Sequence, residues 1–329
     1  MPVVWLNGEE EIKEMLKFRV FFLLLLVLGG LWCPPGPCQE EVFYALCPKS
    51  LNNPFWDDVK VGMERAAKEL GVKAEFVAPI ELDASQQVQK IEALLERKVD
   101  GIAISPTAPE SVIDVIAKAR AKGIPVICFD ADSPESERLC YVGTFNEQAG
   151  YEAGNLLKEY LPDGGTVLAV SGGAAAANLN ERVNGFKRAL KGSNIKIADV
   201  QYCNDDMNRA TQLIEGYLSA NPKLDAIFGV GLWSAIPAAN IRRDKGLDYV
   251  VIGFDTMEPE LQLIKDGYME AVVGQLPVEV GYHAVMTLDR LRKAGDKMEE
   301  VADDFDTGTV TVRRADVEEF AKKAGIKLK

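Results

Sequence analysis

The sequence predicts an α/β protein with two lobes, each built on a parallel β-sheet that helices cover on both faces. Its 329 residues are too many for one ordinary core and match two domains of about one to two hundred residues each. From residue 41 onward, short apolar runs rich in β-branched residues alternate with amphipathic helical patterns. Continuous apolar strands are typical of parallel sheets buried on both faces.

Nine segments are predicted as strands because they are short, apolar and followed by polar loops. They cover residues 42–47, 73–78, 101–105, 125–130, 166–171, 195–203, 226–231, 249–255 and 271–275. Helices are predicted between them wherever apolar residues recur at helical spacing, as Val59, Met63 and Ala67 do. Two such sheets in one chain are expected to face each other across a cleft.

The loops that follow the strands are the candidate site, since parallel sheets bind ligands outside the carboxyl ends of their strands. Carboxylate, amide and guanidinium side chains concentrate there, at Asn53, Asp130, Asp132, Arg182, Asp255 and Gln275. Such carboxylates can hold a divalent metal, act as acid and base, or accept hydrogen bonds from sugar hydroxyls. Their position beside planar amide and guanidinium groups favours hydrogen bonding to a sugar, because these groups bind two neighbouring hydroxyls at once. Phe55, Trp56 and Trp233 add aromatic faces for the C–H surface of a ring.

Composition and motifs exclude several other functions. Acidic residues outnumber basic ones by 50 to 37, for a net charge of -13, so we expect no nucleic-acid partner. His283 is the single histidine and lies in a helical pattern, which predicts a structural role and excludes sites that need two imidazoles. GxxxxGK[ST] and GxSxG are absent from the sequence, and residues 229–234 end in Ser where GxGxxG needs Gly. We expect no enzyme activity, no cofactor and no metal.

The N-terminal segment is predicted to be an export signal over residues 1–38. The apolar run at 18–32, FRVFFLLLLVLGGLW, is shorter than the roughly 20 residues of a membrane-spanning helix, and a Pro break and small residues follow it. The acidic stretch before Met15 is atypical of such signals, which favours Met15 as the true start. An alternative to cleavage after Cys38 is lipid modification of Cys33 or Cys38. In either case the protein is expected to be periplasmic or otherwise extracytoplasmic.

Four cysteines follow that segment, Cys47, Cys128, Cys140 and Cys203. They are scattered and lack the CxxC spacing of a zinc site, so buried free thiols are predicted. Export also allows a disulfide bridge between Cys128 and Cys140.

From residue 41 to 329 the sequence resembles the type I periplasmic sugar-binding proteins, the family of ribose- and galactose-binding proteins that serve ABC transporters. The resemblance rests on SLNNPFW (50–56), VDGIAISPTAPES (99–111), GIPVICFDAD (123–132), YVGTFNEQAG (141–150), NERVNGF (180–186), VIGFD (251–255), GQLP (274–277) and DTGTVTVRRADVEEF (306–320). It implies a ligand-binding set of Asn53, Phe55, Trp56, Asp130, Arg182, Asp255 and Gln275.

Two positions depart from the ribose binders, which have Arg where this chain has Ala131 and Asn where it has Gly231. The patterns PKSLNNPFW, FDAD and GLWSAIPAA are more similar to rhamnose-type and furanosyl-signal binders. That similarity adds Lys49, Gly231 and Trp233 to the expected binding residues, together with Asp132.

The resemblance further implies how the chain is divided and what it does. The N-terminal lobe is expected at 41–144 plus 276–305 and the C-terminal lobe at 145–275 plus 306–329, with three crossovers as a hinge. A monomer would capture a neutral sugar or polyol between the lobes, and an ABC transporter permease would recognise the closed form. The alternatives are a ligand-sensing protein for a chemoreceptor or sensor kinase and a sugar-processing enzyme on the same fold.

Overall fold

The structure is a computed structural model, and it describes residues 41–329. The predicted export signal, the start at Met15 and the two lipidation sites lie outside the described residues. Within residues 41–329, no helix is both long enough and apolar enough to cross a membrane.

Two six-stranded sheets organise residues 41–329. The first has the order β11-β5-β4-β3-β1-β2, and all its pairs are parallel. Its strands are β1 (Phe43–Cys47), β2 (Lys73–Phe76), β3 (Gly101–Ile104), β4 (Val126–Phe129), β5 (Tyr141–Gly143) and β11 (Phe305–Asp306).

The second sheet has the order β12-β10-β9-β8-β6-β7 and is parallel except for its edge pair β10 and β12. Its strands are β6 (Gly165–Ser171), β7 (Ile195–Tyr202), β8 (Ala226–Gly229), β9 (Val250–Phe254), β10 (Ala271–Gly274) and β12 (Val310–Arg313). We call the part built on the first sheet the first lobe and the part built on the second sheet the second lobe. The chain passes between the sheets after β5, after β10 and after β11.

Ten α-helices accompany the strands of the described range. They are α1 (Phe55–Leu70), α2 (Ala84–Leu95), α3 (Ile113–Ala121), α4 (Asn146–Tyr160), α5 (Ala177–Leu190), α6 (Met207–Ala220), α7 (Leu232–Lys245), α8 (Glu258–Asp266), α9 (Pro277–Ala294) and α10 (Val317–Lys323). Short 3₁₀ turns cover Pro109–Val112 and Gly295–Val301.

The predicted fold class is confirmed: both lobes are α/β, with parallel sheets and flanking helices, and all nine predicted strands are present. Three further strands, β5, β11 and β12, were not predicted as strands. They have three, two and four residues. The segments of β5 and β11 are too short for an apolar period of their own. β12 is as long as several predicted strands, but its two valines alternate with Thr and Arg and give no continuous apolar run.

Glycine allows one helix pair in each lobe to pack backbone against backbone. A Cβ on Gly281 of α9 would lie 1.9 Å from the carbonyl oxygen of Val59 in α1, and one on Gly185 of α5 would lie 1.9 Å from that of Glu147 in α4. No side chain fits at such a distance, so these positions fix how closely the helices approach.

The first sheet separates Cys128 from Cys140. Cys128 at the end of β4 packs with Cys47 and Ile104 on one face, whereas Cys140 packs with Val142 on the other. Successive residues of a strand point to opposite faces, so Tyr141 shares the face of Cys128 and Cys140 does not. All four cysteines of residues 41–329 are buried free thiols.

Candidate functional site

A cavity lies between the two sets of strand ends. All the predicted site residues except Asp132 and Gly231 line it. The lining residues are Lys49, Ser50, Asn53, Phe55, Trp56, Asp130, Asn178, Leu179, Arg182, Asp205, Trp233, Asp255 and Gln275. Both lobes contribute, so a molecule in the cavity would touch both at once.

Three aspartates in the cavity have a left-handed backbone at a strand end. The φ angles are 58° at Asp130 after β4, 58° at Asp205 after β7 and 85° at Asp255 after β9. Non-glycine residues in this region store about 1–3 kcal/mol of strain each, and aspartate tolerates it better than most residues. Strained backbone angles of this kind are common at functional sites. Here the left-handed angles direct the three carboxylates into the cavity.

Lys49 joins the two lobes at the centre of the cavity. Its Nζ atom donates a 2.8 Å hydrogen bond to Oδ1 of Asn178 and lies 3.4 Å from Oδ2 of Asp130. Ser105 Oγ donates to the same Asp130 oxygen at 2.6 Å, and Asn178 Nδ2 donates to Oδ1 of Asp130 at 3.5 Å. Lys49, Asp130 and Asn178 are all buried. The buried charges of Lys49 and Asp130 therefore compensate each other.

Arg182 is held from three sides and keeps one donor free. Its Nε donates to Oδ1 of Asn146 at 2.9 Å, its Nη1 donates to the carbonyl of Val230 at 3.1 Å, and its guanidinium lies 3.8 Å from the centre of the Phe254 ring. Burial lowers the pKa of Arg182, yet a guanidinium remains protonated at any physiological pH. Its Nη2 is buried and has no partner among the described residues, which leaves a fixed donor at the cavity.

Asp255 and Gln275 form a second polar pair. Gln275 Nε2 donates to Oδ1 of Asp255 at 2.8 Å, and the backbone N–H of Leu232 donates to Oδ2 at 3.2 Å. Burial raises the pKa of Asp255, and the nearby charge of Arg182 acts in the opposite direction. The Oε1 atom of Gln275 is buried without a partner in the described part of the chain and can accept a hydrogen bond.

Aromatic rings complete the wall. Asn53 Oδ1 accepts the backbone N–H of Phe55 at 3.0 Å and so starts α1 with Phe55 and Trp56 at its first positions. These two rings meet edge to face at 5.0 Å. On the other side, the Trp233 ring lies over the backbone of Gly231, where an added Cβ would be 2.4 Å from a ring carbon. Gly231 therefore supports Trp233 and does not line the cavity itself.

Asp132 lies apart from this cavity. Both its oxygens accept hydrogen bonds from Arg138, at 2.9 and 2.7 Å, six residues along the same loop. Sequence reasoning left Asn178, Asp205, Ser50 and Leu179 out of the predicted set. Asn178 had a detectable signal, because it precedes Arg182 by four residues on α5 and so shares its helix face.

The single histidine contacts neighbouring side chains of the described range, and its Nε2 lies 3.6 Å from Oε2 of Glu279. His283 packs its ring 4.2 Å from that of Phe305, and burial lowers its pKa. No group of three His, Cys, Asp or Glu residues within 41–329 is placed to hold a metal ion.

The family of the chain follows from comparison with known proteins. A family model described as a periplasmic binding protein domain matches residues 44–297. The chain belongs to this family. Its two α/β lobes with parallel sheets have the fold of this family.

Curated relatives in this family are sugar-binding proteins. The ribose import binding protein of Haemophilus influenzae is 29% identical over 83% of this chain and 92% of its own length. The D-allose-binding periplasmic protein of Escherichia coli is also 29% identical, over 77% of this chain and 85% of its own.

Solved structures agree with this assignment. A solute-binding protein of an ABC transporter from Burkholderia graminis, in complex with D-arabinose, is 37% identical, with a TM-score of 0.79 over 84% of this chain and 96% of its own. The XylFII–LytSN complex contains a chain that is 30% identical, with a TM-score of 0.77 over 84% of this chain and 99% of that one.

Proposed function

We propose that this periplasmic binding protein captures a neutral sugar or sugar-like polyol between its lobes and delivers it to an ABC importer. The observation that carries the proposal is one cavity that combines carboxylates, a fixed arginine donor and aromatic faces from both lobes. Carboxylate and guanidinium groups bind vicinal hydroxyls, and aromatic faces pack on the C–H surface of a sugar ring.

The charges of the cavity favour an uncharged ligand. Lys49 and Arg182 bring two positive charges, and Asp130, Asp205 and Asp255 bring three carboxylates. Lys49 is already compensated by Asp130 at 3.4 Å. A phosphate or carboxylate on the ligand would meet the remaining carboxylates, whereas hydroxyls can donate to them and accept from Arg182 Nη2.

The ligands of relatives support a pentose or hexose as the sugar. The relatives described above include a ribose import binding protein, a D-allose-binding protein and a solute-binding protein in complex with D-arabinose. We therefore propose an aldose, deoxysugar or polyol of about the size of a single ring. Catalysis has no part in this function.

Closure of the lobes is proposed to couple binding to delivery. We place the lobe boundaries at 41–144 plus 276–305 and 145–275 plus 306–329, with a hinge at the three passages between the sheets. Because ligand contacts come from both lobes, a bound ligand favours the closed form of the protein. The permease would then recognise this closed form.

A second candidate function is ligand sensing through another protein, such as a chemoreceptor or sensor kinase. The similarity to a chain of the XylFII–LytSN complex supports this candidate, because that relative occurs in a complex with another protein. Ligand affinity is the same in both cases, so reconstitution with the permease in vesicles has to separate them. Sugar uptake that depends on this protein supports import, and its absence with intact sugar binding supports sensing.

The test of sugar binding is thermal unfolding of the purified protein, refolded free of bound ligand, with D-ribose, D-allose, D-arabinose and a set of deoxysugars and polyols. A ligand at about a hundred times its Kd adds about 2.7 kcal/mol, which raises Tm by several degrees in a protein of this size. Asp255→Asn should weaken binding about tenfold or more, since it exchanges a buried acceptor for a donor. Asp248→Asn, at the exposed opposite end of β9, is the matched control. A shift with no sugar in the set would refute the proposal.

A further inference from the structure

A second cavity adjoins the first and shares part of its wall. It is the larger of the two, and Ser50, Asn53, Asp205 and Trp233 line both spaces. We propose that it is a subsite for a substituent carried by the bound sugar, a second ring or an aglycone, so that the ligand class includes glycosides. This inference rests on the proposed sugar-binding function.

Both lobes build the second cavity. Asn52, Glu81 and Leu82 come from loops of the first lobe, and Met207 and Leu232 come from the second. The loops approach closely at one edge, where the Leu82 side chain lies 3.5 Å from the position of a Cβ on Gly173. A substituent in this space would therefore touch both lobes, as the sugar does.

The wall has the composition of a carbohydrate subsite. Leu82, Met207 and Trp233 supply apolar surface, and Met207 is 38% exposed. Asn52 and Asn53 supply amides, and Asn52 Nδ2 donates to Glu81 Oε2 at 2.7 Å. Mixed aromatic, aliphatic and amide surface suits a ring with polar edges and an apolar face.

The charge of this wall selects among substituents. Glu81, Asp205 and Asp206 are acidic, and none of the described residues that line the cavity is basic. Burial raises the pKa of Asp205, so a further negative charge beside it is unfavourable. The substituent is therefore neutral or cationic, as in an ordinary glycoside or an amino sugar, and not phosphorylated or acidic.

The experiment uses calorimetric titration of the full protein with sugars that carry one small substituent at each hydroxyl in turn. The substituents are ethyl, 2-aminoethyl and carboxymethyl, placed on D-ribose, D-allose and D-arabinose. At least one position should accept an ethyl group with no loss of affinity relative to the free sugar. At that position 2-aminoethyl should bind about tenfold more tightly than carboxymethyl, the effect expected of charges a few ångströms apart near water.

Variants locate the effect in the second cavity. Met207→Trp fills the space and should weaken binding of the substituted sugar about tenfold while the free sugar is unaffected. Val61→Trp, at an exposed position on α1, is the matched control. Asp206→Asn keeps the cap of α6 and should reduce the preference for 2-aminoethyl.

Two results overturn the inference in different ways. If free sugars bind but every substituted sugar is rejected, the second cavity is only an entrance, and the proposed sugar-binding function stands. If no sugar binds, substituted or free, the proposed function fails and the subsite fails with it.

Discussion

The bond between Lys49 and Asn178 gives a sharp prediction about lobe closure. Asn178→Ala removes an acceptor that receives a 2.8 Å hydrogen bond from a buried ammonium across the cleft. A hydrogen bond to a charged group contributes about 1.5–3 kcal/mol. The contact of Asn178 Nδ2 with Asp130 is long, at 3.5 Å, and adds little. Lys49 keeps its ion pair with Asp130, so its charge stays compensated.

Because this bond exists only when the lobes are together, its loss should appear in ligand affinity. We expect the Kd of Asn178→Ala for the best sugar of the set to rise about tenfold to a hundredfold. Isothermal titration of the purified protein measures it. Asn208→Ala, at an exposed position in the first turn of α6, is the matched control and should leave the Kd unchanged.

A double-mutant cycle tests the reason for the effect. Lys49→Met and Asn178→Ala should be coupled by about 1–3 kcal/mol, since each removes the same bond. Additive effects of the two substitutions would show that Asn178 acts through some other contact. An unchanged Kd in Asn178→Ala would refute closure through this bond altogether.

Three further predictions concern stability and redox state. Gly281→Ala should lower the free energy of unfolding, measured by urea denaturation, by about 3 kcal/mol or more, because its Cβ would meet a backbone carbonyl of α1 at 1.9 Å. Gly216→Ala is the control: the space around this position in α6 is open, so the substitution should be neutral or stabilising. Burial raises the pKa of Glu260 well above its ordinary value, so the folded protein holds that proton more tightly, and stability declines as pH rises from the ordinary carboxyl pKa toward the raised one. Glu260→Gln should flatten that decline in unfolding titrations above the ordinary glutamate pKa of about 4.3, and parallel curves for the variant and the parent would contradict the assignment. Cys128 and Cys140 should form no disulfide, because they lie on opposite faces of the first sheet and burial raises the pKa of Cys140 to about 11. Both should therefore be alkylated when the protein is unfolded without reductant, and a disulfide-linked peptide in mass spectrometry would disprove the prediction.

The sequence by itself determined the α/β class and the strand ends at which the candidate site residues lie. Each long buried strand has a local apolar period, and parallel sheets place the carboxyl ends of their strands at one edge. For that reason most of the predicted site residues, from Lys49 to Gln275, come together at one cavity. Strands β5 and β11 were missed because they carry too few residues for a period, and β12 was missed because its valines alternate with Thr and Arg and form no continuous apolar run.

Tertiary structure decided which polar side chains at those strand ends face one another. Asp130 and Asp132 differ by two positions in one loop, yet Asp130 meets Lys49 and Asp132 meets Arg138. Asn178 reaches Lys49 across 129 residues of sequence. No local pattern encodes such a pairing, because it depends on how two separately folded sheets are set against each other and on the backbone angle at a single residue.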